Sequence, residues 1–103
     1  MPEPLDSFTS DRHFQLWRYT VGHGQLLLRS NPDAVRATRV EVLFKGVDRV
    51  DLPTSFDGLT VERDGRRFDL RGQEWRGSIT AIAMFSIEDE GTYADPSPLY
   101  VGE

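Results

Sequence analysis

The feature that most constrains the fold is the stretch over residues 14–30, FQLWRYTVGHGQLLLRS. It joins two apolar segments through Gly22, His23 and Gly24, and the two glycines supply the positive φ angles of a tight turn. The segment over residues 12–21 alternates like a strand, but its phase changes after Leu16. Either this strand is covered on both faces or a β-bulge lies near Leu16 and Trp17. The stretch therefore predicts a β-hairpin.

Further strand-like segments follow, separated by turn-forming residues. They cover residues 38–46, 48–52, 59–63, 67–71 and 78–87, and a short edge strand is expected over residues 99–101. About seven short strands without a helix of ordinary length predict an all-β, single-domain antiparallel β-sandwich or barrel. Residues 1–11 are expected to form a flexible N-terminal lead-in, and residues 12–103 the single β-domain.

Three segments give local predictions. Residues 38–46 are the clearest strand, with a predicted core face formed by Val40, Val42 and Phe44. The predicted solvent face of the same strand is formed by Arg39, Glu41 and Lys45. Residues 78–87 are apolar on both faces, which predicts a central strand with Ile82 in the core. The dipeptide Asp64-Gly65 predicts a two-residue type I′ hairpin turn.

The composition excludes several classes of protein. The formal net charge is −5, with 17 acidic against 12 basic side chains, which disfavours a nucleic-acid partner. No window approaches the roughly 18 consecutive apolar residues of a membrane span, so no membrane partner is expected. The absence of cysteine removes disulfides and thiolate metal sites. The first residues, MPEPLDSF, lack the regions of a signal peptide, so a cytoplasmic location is expected.

The chain has two histidines, and only His23 has a context in which a functional role is expected. Its flanking glycines would expose the imidazole, but His also tolerates turn conformations, which is the simpler interpretation. His13 would lie at the opposite end of the predicted hairpin, so a two-histidine metal site is not expected. No metal-binding, nucleophile or phosphate-loop motif is present, so neither a cofactor nor a catalytic residue is predicted.

The candidate binding residues lie near Trp75. This tryptophan occurs in the polar segment GQEWRG, where periodicity gives it no position in the core. An exposed Trp flanked by Arg71 and Arg76 has the composition of a binding hot spot. The alternative is that Trp75 folds back as a lid over one end of the core.

Most of the chain also resembles a loose set of small bacterial β-proteins, some of them similar to immunity or accessory proteins of toxin systems. The segments that carry this resemblance are WRYTVGHGQLLLRS, TRVEVLFKGV, LPTSFDGLTV, FDLRG and GSITAIAMFSIED. The resemblance implies a non-catalytic module that binds a protein partner or a second copy of itself. The alternative function is a small-molecule or carbohydrate site near His23, with binding or hydrolytic activity.

Overall fold

The computed structural model describes residues 3–92 and 94–99. These residues form eight strands and one short 3₁₀ turn, Val21–His23. The strands are β1 (Ser7–Thr20), β2 (Gln25–Ser30), β3 (Arg39–Lys45), β4 (Arg49–Asp51), β5 (Ser55–Asp64), β6 (Arg67–Gly72), β7 (Trp75–Thr80) and β8 (Ala83–Asp89). Among the described residues, no helix is long and apolar enough to cross a membrane. The edge strand expected over residues 99–101 lies, apart from Leu99, outside the described residues.

The strands form one antiparallel sheet in the order β4-β7-β6-β5-β1-β2-β3-β8. The all-β, antiparallel, single-domain prediction is confirmed, and the sheet is not closed into a barrel. It folds over one core, because side chains from β3 and β6 meet although three strands, β5, β1 and β2, separate them in hydrogen-bonding order. The rings of Phe44 and Phe68 illustrate this contact, with centroids 5.3 Å apart in an edge-to-face arrangement.

Strand β1 is long because it pairs with β5 through its first half and with β2 through its second. It begins at Ser7, so the predicted flexible lead-in is wrong for residues 7–11, where Ser7 and Thr9 lie opposite Glu62 and Thr60. A register shift between Leu16 and Arg18 confirms the predicted bulge. The bulge turns the next side chain, that of Trp17, toward the opposite side of the sheet from the core.

Strand β3 is buried on both faces from Arg39 to Phe44, which corrects the predicted solvent face for Arg39 and Glu41, whereas Lys45 is only half-buried. Val42 and Phe44 lie in the main core as expected, but Arg39 and Glu41 are 2% and 0% exposed. The reason is the C-terminal segment, residues 90–92 and 94–99, which packs over the outer face of β2 and β3. Leu99 packs there against a second small cluster of Leu27 and Leu43.

Buried polar contacts hold this segment on the sheet. Arg39 Nη1 donates to the carbonyl oxygens of Thr92 and Asp95, at 3.0 and 2.9 Å. Ser97 Oγ donates to Glu41 Oε1 at 2.7 Å, and the same carboxylate accepts from Arg29 Nε at 2.8 Å. The sequence pattern predicts that water solvates Arg39 and Glu41. In the folded chain these hydrogen bonds take the place of that water, because a buried charge needs a paired partner.

Two further predictions are corrected at turns. The apolar run over residues 78–87 is divided into β7 and β8, which lie far apart in the sheet, and β8 is an edge strand. Between them Ile82 is 60% exposed and rests over Gly46, so its predicted core position is wrong. The β5–β6 turn is displaced by one residue, because Asp64 pairs with Arg67 and leaves Gly65 and Arg66 as the central residues. Only Gly65 has positive φ, +63°, as in a type II′ turn.

Candidate functional site

The outer surface of β5, β6, β7 and β4 is open to solvent and carries charges in rows that run across the strands. The first row is Thr60, Arg71 and Arg76. The second row is Glu62, Asp69, Ser78 and Asp51, and the third is Asp64, Arg67, Thr80 and Arg49. We call these three rows the charged face. Strand alternation creates it, because every second residue of these strands points away from the core.

Ion pairs within the charged face neutralise some of its arginines. Arg71 Nη2 lies 3.1 Å from Glu62 Oε1, and Arg67 Nε lies 2.7 Å from Asp69 Oδ1. The hydrogen bond to Asp69 raises the pKa of Arg67 above its ordinary value, so this guanidinium stays charged. Within residues 3–92 and 94–99, Arg76 makes no ion pair.

Arg71 and Arg76 lie directly opposite each other on neighbouring strands. Like charges in this position repel, and the sheet gains nothing from holding them together. Both side chains line a depression of about 500 Å³, which also includes Glu62, Asp69 and Ser78. The structure therefore brings together two of the predicted binding residues on an accessible surface.

Trp75 is not exposed on this surface beside Arg71 and Arg76. It begins β7 and packs against the main core, with its ring centroid 4.2 Å from that of Phe56. Its Nε1 donates to the carbonyl oxygens of Asp57 and Gly58, each at 3.2 Å. A Cβ placed on Gly72 would lie 2.1 Å from this nitrogen, so the indole occupies a notch that only glycine leaves open. The expected exposure is wrong, and the alternative of a lid describes the side chain.

His23 lies on the exposed 3₁₀ turn, away from the charged face. Gly24 ends this turn with φ of +59°, whereas Gly22, contrary to expectation, does not have positive φ. In the described part of the chain the side chain of His23 makes no hydrogen bond or ion pair. The exposed side chains of Tyr19, Val21 and Ile82 lie at the same end of the sheet. No carboxylate of the described residues lies within hydrogen-bond distance of His23, so this geometry does not favour the hydrolytic alternative.

The imidazole that does have a carboxylate partner is that of His13. Its Nδ1 lies 2.7 Å from Asp57 Oδ1 on β5, and both side chains are more than half exposed. Sequence reasoning missed this pair because it depends on pairing between strands that lie 44 residues apart. Among the described residues no group of three His, Cys, Asp or Glu side chains is placed to hold a metal ion.

Comparison with known proteins adds no relative. No family model, curated protein or solved structure matches the chain.

Proposed function

We propose that this protein is a non-catalytic module that binds a protein partner through carboxylates presented to Arg71 and Arg76. One observation carries the proposal: two arginines are held directly opposite each other on an open sheet face. Glu62 neutralises Arg71 only partly, since this ion pair is exposed to solvent on both sides. A partner carboxylate between the two guanidinium groups would replace repulsion by two charge-assisted hydrogen bonds.

The charge distribution favours a protein over a nucleic acid as the partner. The second row of the charged face is acidic, through Glu62, Asp69 and Asp51, and it would repel a phosphate backbone. A protein surface can present a carboxylate to the arginines and a basic side chain to the acidic row. Such complementary rows fix the register of the two proteins and increase the association rate more than the affinity.

The biological setting of the proposal follows from the resemblance to bacterial immunity and accessory proteins. A cytoplasmic location belongs to the same proposal and is compatible with a chain that contains no cysteine. Binding to a second copy of the chain is the other form that this interaction can take. In that case a two-fold axis would place the arginine row of one copy on the acidic row of the other.

The proposal can be tested with an acidic probe in place of the partner. The arginine Nε–Hε signals of ¹⁵N-labelled protein are followed by NMR while hexaglutamate is added. We expect the signals of Arg71 and Arg76 to shift first, and the shifts to weaken when salt is added. Arg66 is the matched control, because it is also exposed and pairs with Asp48 at 2.8 Å, but it lies in the β5–β6 turn and not opposite a second arginine. Equal shifts at Arg66, or no shift at all, would contradict the proposal.

A further inference from the structure

The sheet stops short of closing along a seam between its first and last elements. Strand β1 pairs with β5 from Ser7 to Gln15 and with β2 only from Gln15 onward. The other edge of its first half therefore has no strand beside it within residues 3–92 and 94–99. Among the described residues strand β8 pairs with β3 alone, so one of its edges is also open there. A cavity of about 320 Å³ separates these two edges and is lined by both. We call this space between residues 7–11 and 84–88 the slot.

The backbone of both strands directs polar groups into the slot. Arg63 N donates to Asp6 O on the β5 side, while Leu5 N donates to Met84 O on the β8 side. Because backbone groups alternate along a strand, Ser7 and Thr9 direct their amide and carbonyl groups toward β8. By the same alternation, the bond at Met84 O means that Ser86 and Glu88 direct theirs toward β1. In the described ranges none of these four residues has a backbone partner across the slot.

The two edges run in the same direction. Leu5 lies beside Met84 at one end of the slot. At the other end Arg12 Nη2 reaches Glu88 Oε2 at 3.3 Å and also donates to Thr38. A single extended segment inserted between parallel edges runs antiparallel to both, and it can pair with each of them.

We propose that the slot accepts one extended segment of a protein partner, which completes the sheet by β-strand addition. The inner wall of the slot includes Phe8 and Val40, so the inserted segment should present apolar side chains inward and polar ones outward. Unpaired backbone groups on both sides supply the affinity, and the apolar positions supply the specificity. This inference does not depend on Arg71 and Arg76, which lie on other strands.

Amide hydrogen exchange followed by NMR tests the slot directly. In the free protein we expect the amides of Ser7, Thr9, Ser86 and Glu88 to exchange much faster than that of Leu27, which lies in a paired central strand. The probe is the capped peptide Lys-Val-Thr-Val-Thr-Val-Lys, which alternates as the slot requires. When it is added up to about 1 mM, we expect the four amides to exchange at least about tenfold more slowly. The control peptide carries N-methyl groups on both threonines and should have no effect.

Two variants test whether protection by the peptide depends on the amides that face the slot. Ser86→Pro removes an amide that faces the slot but leaves the β3 ladder intact, and it should abolish protection of Thr9. Ser86→Ala removes only the hydroxyl and should behave as the natural chain does. The inference is overturned if the four amides already exchange as slowly as Leu27, if the peptide gives no protection, or if the N-methylated peptide protects equally. The peptide controls decide the question even if Ser86→Pro does not fold. Because hexaglutamate and this peptide report on different strands, failure here is distinguishable from failure of the proposed function.

Discussion

Replacing Glu41 by glutamine tests the most consequential correction to the sequence pattern. The Glu41 carboxylate is fully buried, accepts from Arg29 Nε at 2.8 Å and from Ser97 Oγ at 2.7 Å, and faces a guanidinium that is 1% exposed. Glutamine keeps the volume but removes the negative charge. The buried Arg29 guanidinium would then lose the negative charge of Glu41, while the ring of Trp17, 4.6 Å away, still covers it.

Breaking a buried ion pair in this way costs about 3–5 kcal/mol. That is a large part of the roughly 5–15 kcal/mol that stabilises a domain of ordinary size. Urea denaturation gives the free energy of unfolding of each variant. The double variant Arg29→Met with Glu41→Leu should recover most of the loss, because two apolar side chains need no counter-charge. A loss below about 0.5 kcal/mol for Glu41→Gln, as at an exposed position, would refute the reasoning.

The remaining predictions concern a turn, the core and a second ion pair. Gly65→Val should cost on the order of 1–2 kcal/mol, since a β-branched residue is strained at φ of +63°, and an unchanged urea midpoint would refute the turn assignment. Phe44→Ala should lose about 3–5 kcal/mol and Lys45→Ala under about 0.5 kcal/mol, so equal losses would mean that the strand register is wrong. The hydrogen bonds from Arg39 lower the pKa of Asp89 below 3.8, so its stabilising contribution is complete above that pH and is lost as the pH falls through the lower folded value. Asp89→Asn should therefore weaken the acid dependence of the unfolding free energy, and an unchanged dependence would contradict this assignment.

Local patterns predicted the elements that depend on neighbouring residues. The hairpin over residues 14–30, the bulge after Leu16 and the core face of Val42 and Phe44 all follow from alternation and turn chemistry. Arg71 and Arg76 were also identified from the sequence. Their direct opposition was not, because it requires the register of β6 against β7.

The incorrect predictions share a cause, which is contact between segments that are distant in the sequence. Glu41 and Ser97 lie 56 residues apart, and nothing in the pattern of β3 indicates that a C-terminal segment will cover it. Trp75 has no periodic position in the core, yet Gly72 leaves room for its indole against Phe56. Tertiary context overrides local pattern at these positions.

Site-specific photo-crosslinking at the charged face tests the proposed function most directly. A benzophenone amino acid replaces Ser78, at the centre of this face, and the protein is irradiated in cells that produce it naturally. We predict one adduct of defined mass that disappears when Arg71→Glu and Arg76→Glu are added and persists with Arg66→Glu. An adduct whose mass corresponds to two copies would identify the partner as the chain itself. If Ser78 gives no adduct, or if the adduct survives reversal of both arginines, the charged face does not bind the partner and the proposed function is wrong.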